Sequence, residues 1–293
     1  MPMTNEKIVS ESKPSRLLIK ITRDTLPQVK DKYPFLYLER GRLEIDDSSI
    51  KWIDCDCNVV RLPVAQLNCL LLGPGTAVTH EAVKVMAAAN CGICWVGEDS
   101  LIFYAAGQTP TSDSRNFRRQ MVLSADSDKS IVVARRMFAR RFPDAKLETK
   151  SLQQMMGMEG LRVRQLYVKK AQEYKVGWKG RQFTPGKFEI GDITNRILTS
   201  SNAALYGIIC SAVHSMGYSP HMGFIHTGSP LPFVYDLADL YKENLSIDLA
   251  FRLTALMAGT YDRHKIATEF RRRVIEMDLL ARIGPDIEEM LGR

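Results

Sequence analysis

The spacing of hydrophobic and polar positions changes once along the chain, and the change divides it into two halves. Up to about residue 105, apolar positions fall in short runs separated by Gly, Asp or Asn, which predicts β-strands. One segment, THEAVKVMAAAN, has helical spacing instead, and Thr79 is suited to cap its first turn. The predicted strands are FLYLE, RLEID, SIKWID, NVVRLP, NCLLLG, CGICWVG and SLIFYAAG.

A polar segment at residues 106–116 contains Pro and Gly and coincides with the change of period, so it is predicted to be a linker. After it, apolar positions recur at helical spacing almost to the end. The stretch Thr199–Tyr218 is apolar on nearly all sides, which predicts a central helix buried by the others. The predicted fold class is α+β, with an N-terminal β-rich domain at 16–105 and a C-terminal all-α domain at 117–293 that carries the candidate site.

Composition indicates a globular protein with a modest basic excess. The chain is 45% hydrophobic and 25% charged, with 40 Lys and Arg against 33 Asp and Glu, a net charge of +7. This excess favours an anionic partner but is weak evidence for nucleic acid by itself. No apolar run approaches the roughly 20 residues of a membrane span, and residues 1–15 lack the apolar stretch of a signal peptide. We expect a disordered lead-in at 1–15 and a cytoplasmic protein.

The cysteines allow a zinc site, but their spacing favours buried thiols. Cys91 and Cys94 form a C-x-x-C pair, and Cys55 and Cys57 lie upstream. A single residue between Cys55 and Cys57 is poor spacing for a four-cysteine zinc site. The segment around Cys91 and Cys94 is typical of a buried strand, in which cysteine packs as a small hydrophobe. We therefore predict that this pair binds no zinc.

The segment GFIHTGSPLPFVYDLAD contains the strongest candidates for chemistry. His226 precedes a predicted helix that starts near Pro232 and carries Asp236 and Asp239. Side chains three residues apart on a helix lie close together, so either acid could reach an ion. Each residue also has a structural interpretation. A histidine beside apolar residues often packs in a core, and an acid near a helix N-terminus is stabilised by the helix dipole.

Glu159 offers a third candidate, within the segment MMGMEGLRVR. Burying an unpaired acid among apolar residues costs free energy, so Glu159 should face a cation. That cation is either a metal ion or, in the alternative, the nearby Arg162 or Arg164. Two carboxylates and one imidazole suit Mg²⁺ or Mn²⁺, ions that stabilise the charge developed in phosphoryl transfer. One hypothesis is therefore a metal site formed by Glu159, His226 and Asp239.

Basic residues are concentrated in the helical half. Clusters of this kind can neutralise a phosphate backbone, although each one taken singly is also compatible with a solvated helix face. Arg135, Arg136, Arg140 and Arg141 lie on one predicted helix. The candidate DNA-binding residues are Arg162, Arg164, Lys242, Arg263 and Lys265.

Three motifs together point to a known family. The segments GPGTAVTH, MEGLRVR and HTGSPLPFVYDLAD resemble the CRISPR-associated Cas-one (Cas1) integrase family, most closely its subtype I-E branch. The resemblance runs over nearly the whole chain and implies a β-rich N-terminal domain followed by a helical one. It implies that Glu159, His226 and Asp239 are both metal ligands and catalytic residues, with Asp236 as an accessory acid. Ser229 departs from the pattern, since relatives in this branch often have Lys there.

The resemblance also implies an activity and partners. The enzyme would join captured foreign DNA into a CRISPR array, the 3′-hydroxyl of the DNA attacking a phosphodiester at the edge of a repeat with Mg²⁺ or Mn²⁺. It would act as a homodimer, two copies of which flank a dimer of the Cas-two (Cas2) protein. The alternatives are a stand-alone metal-dependent nuclease for branched DNA, in which water replaces the hydroxyl, and a DNA-binding scaffold without catalysis.

Overall fold

A computed structural model describes most of the chain. The predicted lead-in at 1–15 lies outside the described residues, and so do positions 108–113 of the predicted linker. The last strand before that gap ends at Gly107, and the first helix after it begins at Arg115. The described ranges are 27–46, 49–97, 103–107, 114–182, 191–257 and 259–292.

The N-terminal half folds into two four-stranded sheets. The strands are β1 (Tyr33–Leu38), β2 (Gly41–Asp46), β3 (Ser49–Asp54), β4 (Val59–Leu62), β5 (Leu67–Leu72), β6 (Thr76–Val78), β7 (Gly92–Val96) and β8 (Phe103–Gly107). In the first sheet, β1, β5 and β7 are parallel and β8 is antiparallel to β7. In the second, the order is β4-β3-β2-β6, with β6 parallel to β2 and the other pairs antiparallel.

The first sheet separates two hydrophobic cores and contributes to both. All six residues of β5 are buried, as expected for a strand covered on both faces. Cys69 and Leu71 belong to the core shared with the helices. Leu70 and Leu72 point the other way, into the core formed with the second sheet. Side chains alternate across a strand, so one apolar run supplies both cores.

The described residues after position 113 form helices without any strand, which confirms the predicted α+β fold. The Thr79 cap is also confirmed, because its side chain accepts a hydrogen bond from Ala82 N at 3.3 Å. The helices are α1 (His80–Ala88), α2 (Arg115–Ala125), α3 (Ser127–Arg141), α4 (Leu152–Glu173), α5 (Ile193–Ser215), α6 (Pro232–Ala238), α7 (Asp248–Met257), α8 (Arg263–Glu276) and α9 (Leu279–Leu291).

The long stretch of helical spacing after the predicted linker is divided into shorter helices in the structure. Asp126 starts a new helix after α2 by accepting hydrogen bonds from the amides of Asp128 and Lys129. Asp278 adopts a left-handed conformation, with φ 50°, between α8 and α9. After α6, the chain forms a π-helical turn at Glu243–Ile247 before α7 begins. Apolar periodicity reports which face is buried, and it does not register these changes of direction.

Helix α5 is the predicted central helix. Of the described helices, it alone is long and apolar enough to cross a bilayer, but 83% of its most apolar window is buried inside the fold. It packs on the first sheet and on several of the other helices. Its burial therefore identifies it as the core helix of the domain.

The cysteines are free thiols. Cys55 and Cys57 are exposed, whereas Cys91 and Cys94 are buried in and beside β7. Burial raises the pKa of Cys91 to about 12. A thiol that resists ionisation is a poor zinc ligand, since metal binding requires the thiolate. The absence of zinc at this pair stays a prediction.

Replacing Leu205 by Ala tests the role of α5 as the core helix. Leu205 is 0% exposed, and its truncation should lower the free energy of unfolding by about 2–5 kcal/mol through lost burial and a residual cavity. Leu256→Ala is the matched control, because Leu256 is 60% exposed on α7 and its loss should stay within about 0.5 kcal/mol. Urea denaturation followed by circular dichroism measures both. Equal losses would contradict the assignment.

Candidate active site

A buried carboxylate on α6 organises the segment that precedes the helix. Asp236 Oδ2 accepts hydrogen bonds from the backbone amides of Phe224 at 2.6 Å and Ile225 at 3.1 Å. Its Oδ1 accepts from the amide of His226 at 3.0 Å. The Asp236 side chain is 0% exposed, so these donors replace its hydration. A segment that belongs to no strand or helix is thereby held in one conformation.

The same carboxylate orients the imidazole of His226. The ring Nδ1 lies 2.8 Å from Asp236 Oδ1 and donates to it, which leaves Nε2 as the free ring nitrogen. Nε2 lies 3.5 Å from Asp239 Oδ2. Burial lowers the pKa of His226, but the hydrogen bond to Asp236 and the charge of Asp239 more than offset it, so the pKa is raised. A carboxylate behind a histidine is the usual support of a metal-ligating imidazole.

Asp239 lies at the end of α6, in the C-cap position. The sequence places it near the start of a longer helix, and this is wrong because α6 ends at Ala238. The negative end of the helix dipole disfavours an acid there, and cations compensate. Lys242 Nζ lies 2.6 Å from Asp239 Oδ1, and Arg141 Nη1 lies 3.8 Å from Oδ2. Burial raises the pKa of Asp239, but Lys242, Arg141 and His226 together bring it below its usual value.

Glu159 reaches the same cleft from α4, and its partner is Arg141. Arg141 ends α3, and its guanidinium donates to Glu159 while also facing Asp239. Arg162, the alternative partner suggested by the sequence, pairs with Glu243 at 3.0 Å instead. The expectation that Glu159 faces a cation is therefore met by an arginine that lies 18 residues before it.

Glu159, His226, Asp239 and Arg141 line one cleft of about 910 Å³. In the described part of the chain, no three acidic, histidine or cysteine side chains converge closely enough to hold an ion as they stand. The two carboxylates are paired with cations instead, Glu159 with Arg141 and Asp239 with Lys242. The donor set nevertheless fits a hard divalent ion, since two acids that are paired with cations line the same cleft as the imidazole of His226.

Arg140, the residue before Arg141, fixes the end of α3. Arg140 lies 2.8 Å from Asp286 Oδ1 on α9, and Tyr241 donates to the other oxygen of that carboxylate at 2.7 Å. Tyr241 follows Asp239 by two residues, and Asp286 is buried. One carboxylate on α9 therefore ties together the two segments that carry Arg141 and Asp239.

The predicted DNA-binding residues have different surroundings. Lys242 is only 22% exposed and packs on the ring of Tyr206 at 5.0 Å, so it belongs to the floor of the cleft. Arg263 pairs with Glu39 at 3.1 Å. Arg164 and Lys265 are exposed on α4 and α8, where their charges are accessible.

The pairing of Arg141 with Glu159 and the hydrogen bonds from three backbone amides to Asp236 are not apparent from the sequence, which predicts Asp236 only as an accessory acid. Arg141 is one of several arginines on α3, and nothing in its spacing separates it from Arg135 or Arg140. The sequence does contain one signal for Asp236, the glycine at position 223. Gly223 lies just before the residues whose backbone amides donate hydrogen bonds to the Asp236 carboxylate. A Cβ on Gly223 would lie 2.9 Å from Asp236 Oδ2, so only glycine allows this approach.

A family model described as CRISPR associated protein Cas1 matches residues 139–263, the range that contains all four site residues. The chain is also 75% identical, over 291 residues, to the CRISPR-associated endonuclease Cas1 2 of Chlorobaculum tepidum. That alignment covers 99% of this chain and 98% of the relative. The chain belongs to the Cas1 family. Membership in the subtype I-E branch stays a prediction.

Solved structures agree with this assignment. The crystal structure of the TtCas1-DNA complex has a TM-score of 0.66 at 36% identity, covering 91% of this chain and 99% of that one. A casposase bound to integration product has a TM-score of 0.65 and covers 82% of both chains. At 16% identity, the likeness to the casposase is one of fold.

Asp236→Asn tests the organising role of the buried carboxylate. The amide nitrogen cannot accept a hydrogen bond, so at least one backbone amide of the preceding segment loses its partner inside the protein. We expect the free energy of unfolding to fall by about 1–3 kcal/mol in urea denaturation with EDTA present. Asp144→Asn, at an exposed turn, is the control and should change it by less than about 0.5 kcal/mol. Equal stability of the two variants would contradict the role.

Proposed function

We propose that this Cas1 protein is a metal-dependent integrase that joins captured foreign DNA into a CRISPR array. The 3′-hydroxyl of the captured strand attacks a phosphodiester at the edge of a repeat, and the 3′-oxygen of the repeat strand leaves. One ester bond forms as another breaks, so no external energy source is required. With water in place of the hydroxyl, the same site acts as an endonuclease.

The observation that supports this proposal is that Glu159, His226 and Asp239 line one cleft, with the imidazole already oriented by Asp236. A Mg²⁺ or Mn²⁺ ion held by these three residues would polarise the phosphate and stabilise the leaving oxygen. Asp236 keeps the proton on Nδ1, so that His226 presents Nε2 to the cleft. Lys242 lowers the cost of concentrating negative charge at Asp239 as the DNA phosphate approaches.

The proposed assembly follows the family resemblance. The chain forms a homodimer, and two such dimers flank one Cas2 dimer in the cytoplasm, where CRISPR DNA resides. The positive charge of +7 suits the double-stranded DNA of both the captured fragment and the repeat. We also place the chain in the subtype I-E branch on the three quoted motifs.

A joining assay tests the function. Labelled duplex DNA with free 3′-hydroxyl ends is incubated with the protein, a Cas2 protein and a plasmid that carries a CRISPR array. We expect label joined covalently to the plasmid at a repeat edge in Mg²⁺ or Mn²⁺ and no joining in EDTA. Cleavage of branched DNA without joined product, unaffected by Cas2, would favour the stand-alone nuclease. Binding without either reaction would favour the scaffold.

His226→Ala separates catalysis from DNA affinity. The imidazole acts on the transition state, whereas affinity comes mainly from phosphate contacts with Lys and Arg. We expect joining to be lost and the dissociation constant for duplex DNA to stay within about threefold of the wild-type value, since no phosphate contact is removed. Joining at the wild-type rate would exclude His226 from the site. Gel-shift titration and the joining assay give the two readouts.

Arg164→Gln and Lys265→Gln test the accessible cations. If each side chain contacts a phosphate, its removal should weaken duplex binding irrespective of base sequence and reduce the slope of log affinity against log salt by about 1. Lys84→Gln is the control, since Lys84 is exposed on α1 in the β-rich half and pairs with Glu81. Fluorescence anisotropy over a salt series measures the slopes. A slope unchanged from wild type would remove that residue from the DNA interface.

A further inference from the structure

The guanidinium of Arg141 bridges two acids that line the active-site cleft. Arg141 donates to Glu159 and lies 3.8 Å from Asp239, and the three side chains are only 12%, 15% and 9% exposed. Two nearly buried carboxylates repel each other, and a cation between them removes that repulsion. Lys242 supplies a further positive charge to Asp239 at 2.6 Å, and Arg141 is the cation that lies near both acids. Arg141 therefore stabilises the cleft when no metal ion is bound.

A divalent ion and this guanidinium cannot use the same oxygens together. Mg²⁺ takes carboxylate oxygens at about 2.1 Å, whereas Arg141 holds a Glu159 oxygen by a hydrogen bond along one of the same lone pairs and lies 3.8 Å from an Asp239 oxygen. Two positive charges at that separation also repel strongly in a poorly hydrated cleft. An ion that binds Glu159 and Asp239 must therefore displace Arg141 from Glu159 and move it away from Asp239.

Two aromatic rings lie beside the guanidinium of Arg141 in its observed position. Its charged group lies 5.9 Å from the ring of Phe138 and 5.8 Å from that of Phe142, and these rings can support it without the acids. Its Nη1 is buried without a hydrogen-bond partner. Arg140 holds the helix end on α9, so the side chain of Arg141 can turn while its backbone stays in place. A planar guanidinium with free donors is suited to bind phosphate in a bidentate manner.

We propose that Arg141 is an exchange residue, which pairs with Glu159 and Asp239 in the metal-free protein and passes to a DNA phosphate when the ion enters. This inference rests on the metal site of the proposed function. Because ion and phosphate each favour the displaced position, each strengthens the binding of the other. The metal-loaded site is thereby favoured when DNA fills the cleft and disfavoured when it is empty.

A titration of the purified protein with Mn²⁺ tests the exchange. Electron paramagnetic resonance measures the free ion, and the affinity follows from it. The duplex added carries 3′-dideoxy ends, so that no joining occurs. In the wild type, saturating duplex should tighten Mn²⁺ binding by a factor within the usual range of about 5–150. Arg141→Gln should bind Mn²⁺ at least about fivefold more tightly than wild type without DNA, and the effect of DNA should shrink towards one.

Arg162→Gln is the matched control. It removes one positive charge from the same cleft, but Arg162 pairs with Glu243 and not with the proposed ligands. Its effect on Mn²⁺ affinity without DNA should stay within about twofold, because salt screens charges that do not touch the ion. An Arg141→Gln variant that binds Mn²⁺ no more tightly than Arg162→Gln overturns the exchange while leaving the metal site intact. Absence of Mn²⁺ binding in both wild type and Arg141→Gln overturns the exchange and the metal site together.

Arg141→Met is a second variant that controls for a folding defect, because methionine keeps the packing of the apolar part of the arginine side chain and removes only its charged group. Thermal melts in EDTA should show a lower midpoint for Arg141→Gln and Arg141→Met than for wild type, since Glu159 loses its cationic partner. Excess Mn²⁺ should raise the melting midpoint of both variants by more than it raises that of wild type, because a ligand that binds more tightly stabilises the folded state more. If Mn²⁺ raises the midpoint of wild type as much as that of both folded variants, the exchange is wrong.

Discussion

The buried carboxylate of Asp236 is the interaction on which the candidate active site depends. An anion removed from water is costly unless donors replace its hydration, and here three backbone amides and one imidazole do so. The backbone amides of the segment ending at His226 also need acceptors, because this segment belongs to no strand or helix. The same hydrogen bonds therefore satisfy both the carboxylate and the amides, and they fix the position of His226.

Charge compensation is the second constraint on the site. Glu159 and Asp239 lie in a cleft where neither acid is well hydrated, and Arg141 and Lys242 supply the opposing charge. A cleft arranged in this way suits chemistry on phosphate, since it combines acids that can hold a cation with cations that can hold an anion. Removing any one of the four charges leaves the others unbalanced in a region of low polarity.

The scaffold places these groups through contacts far from the cleft. The first sheet supports α5 through one face of β5, and α5 in turn packs against α6 and α7. The carboxylate of Asp286 on α9 connects Arg140 to Tyr241, and so fixes the neighbours of both Arg141 and Asp239. A change in α9 would therefore reach the site through two packed segments.

Much of this molecule follows from the sequence alone, because apolar spacing reports burial, and burial determines which segments become strands or helices. The strands that the pattern predicts, the Thr79 cap, the central helix and the family motifs around Glu159 and His226 are local signals of this kind. Only the tertiary structure decided that Arg141 pairs with Glu159 and that Lys242 faces the cleft instead of solvent. It also ended α6 at Ala238, leaving Asp239 at the C-cap. These outcomes depend on which helices meet, and a charged residue carries no periodic signal of the partner it will find across a cleft.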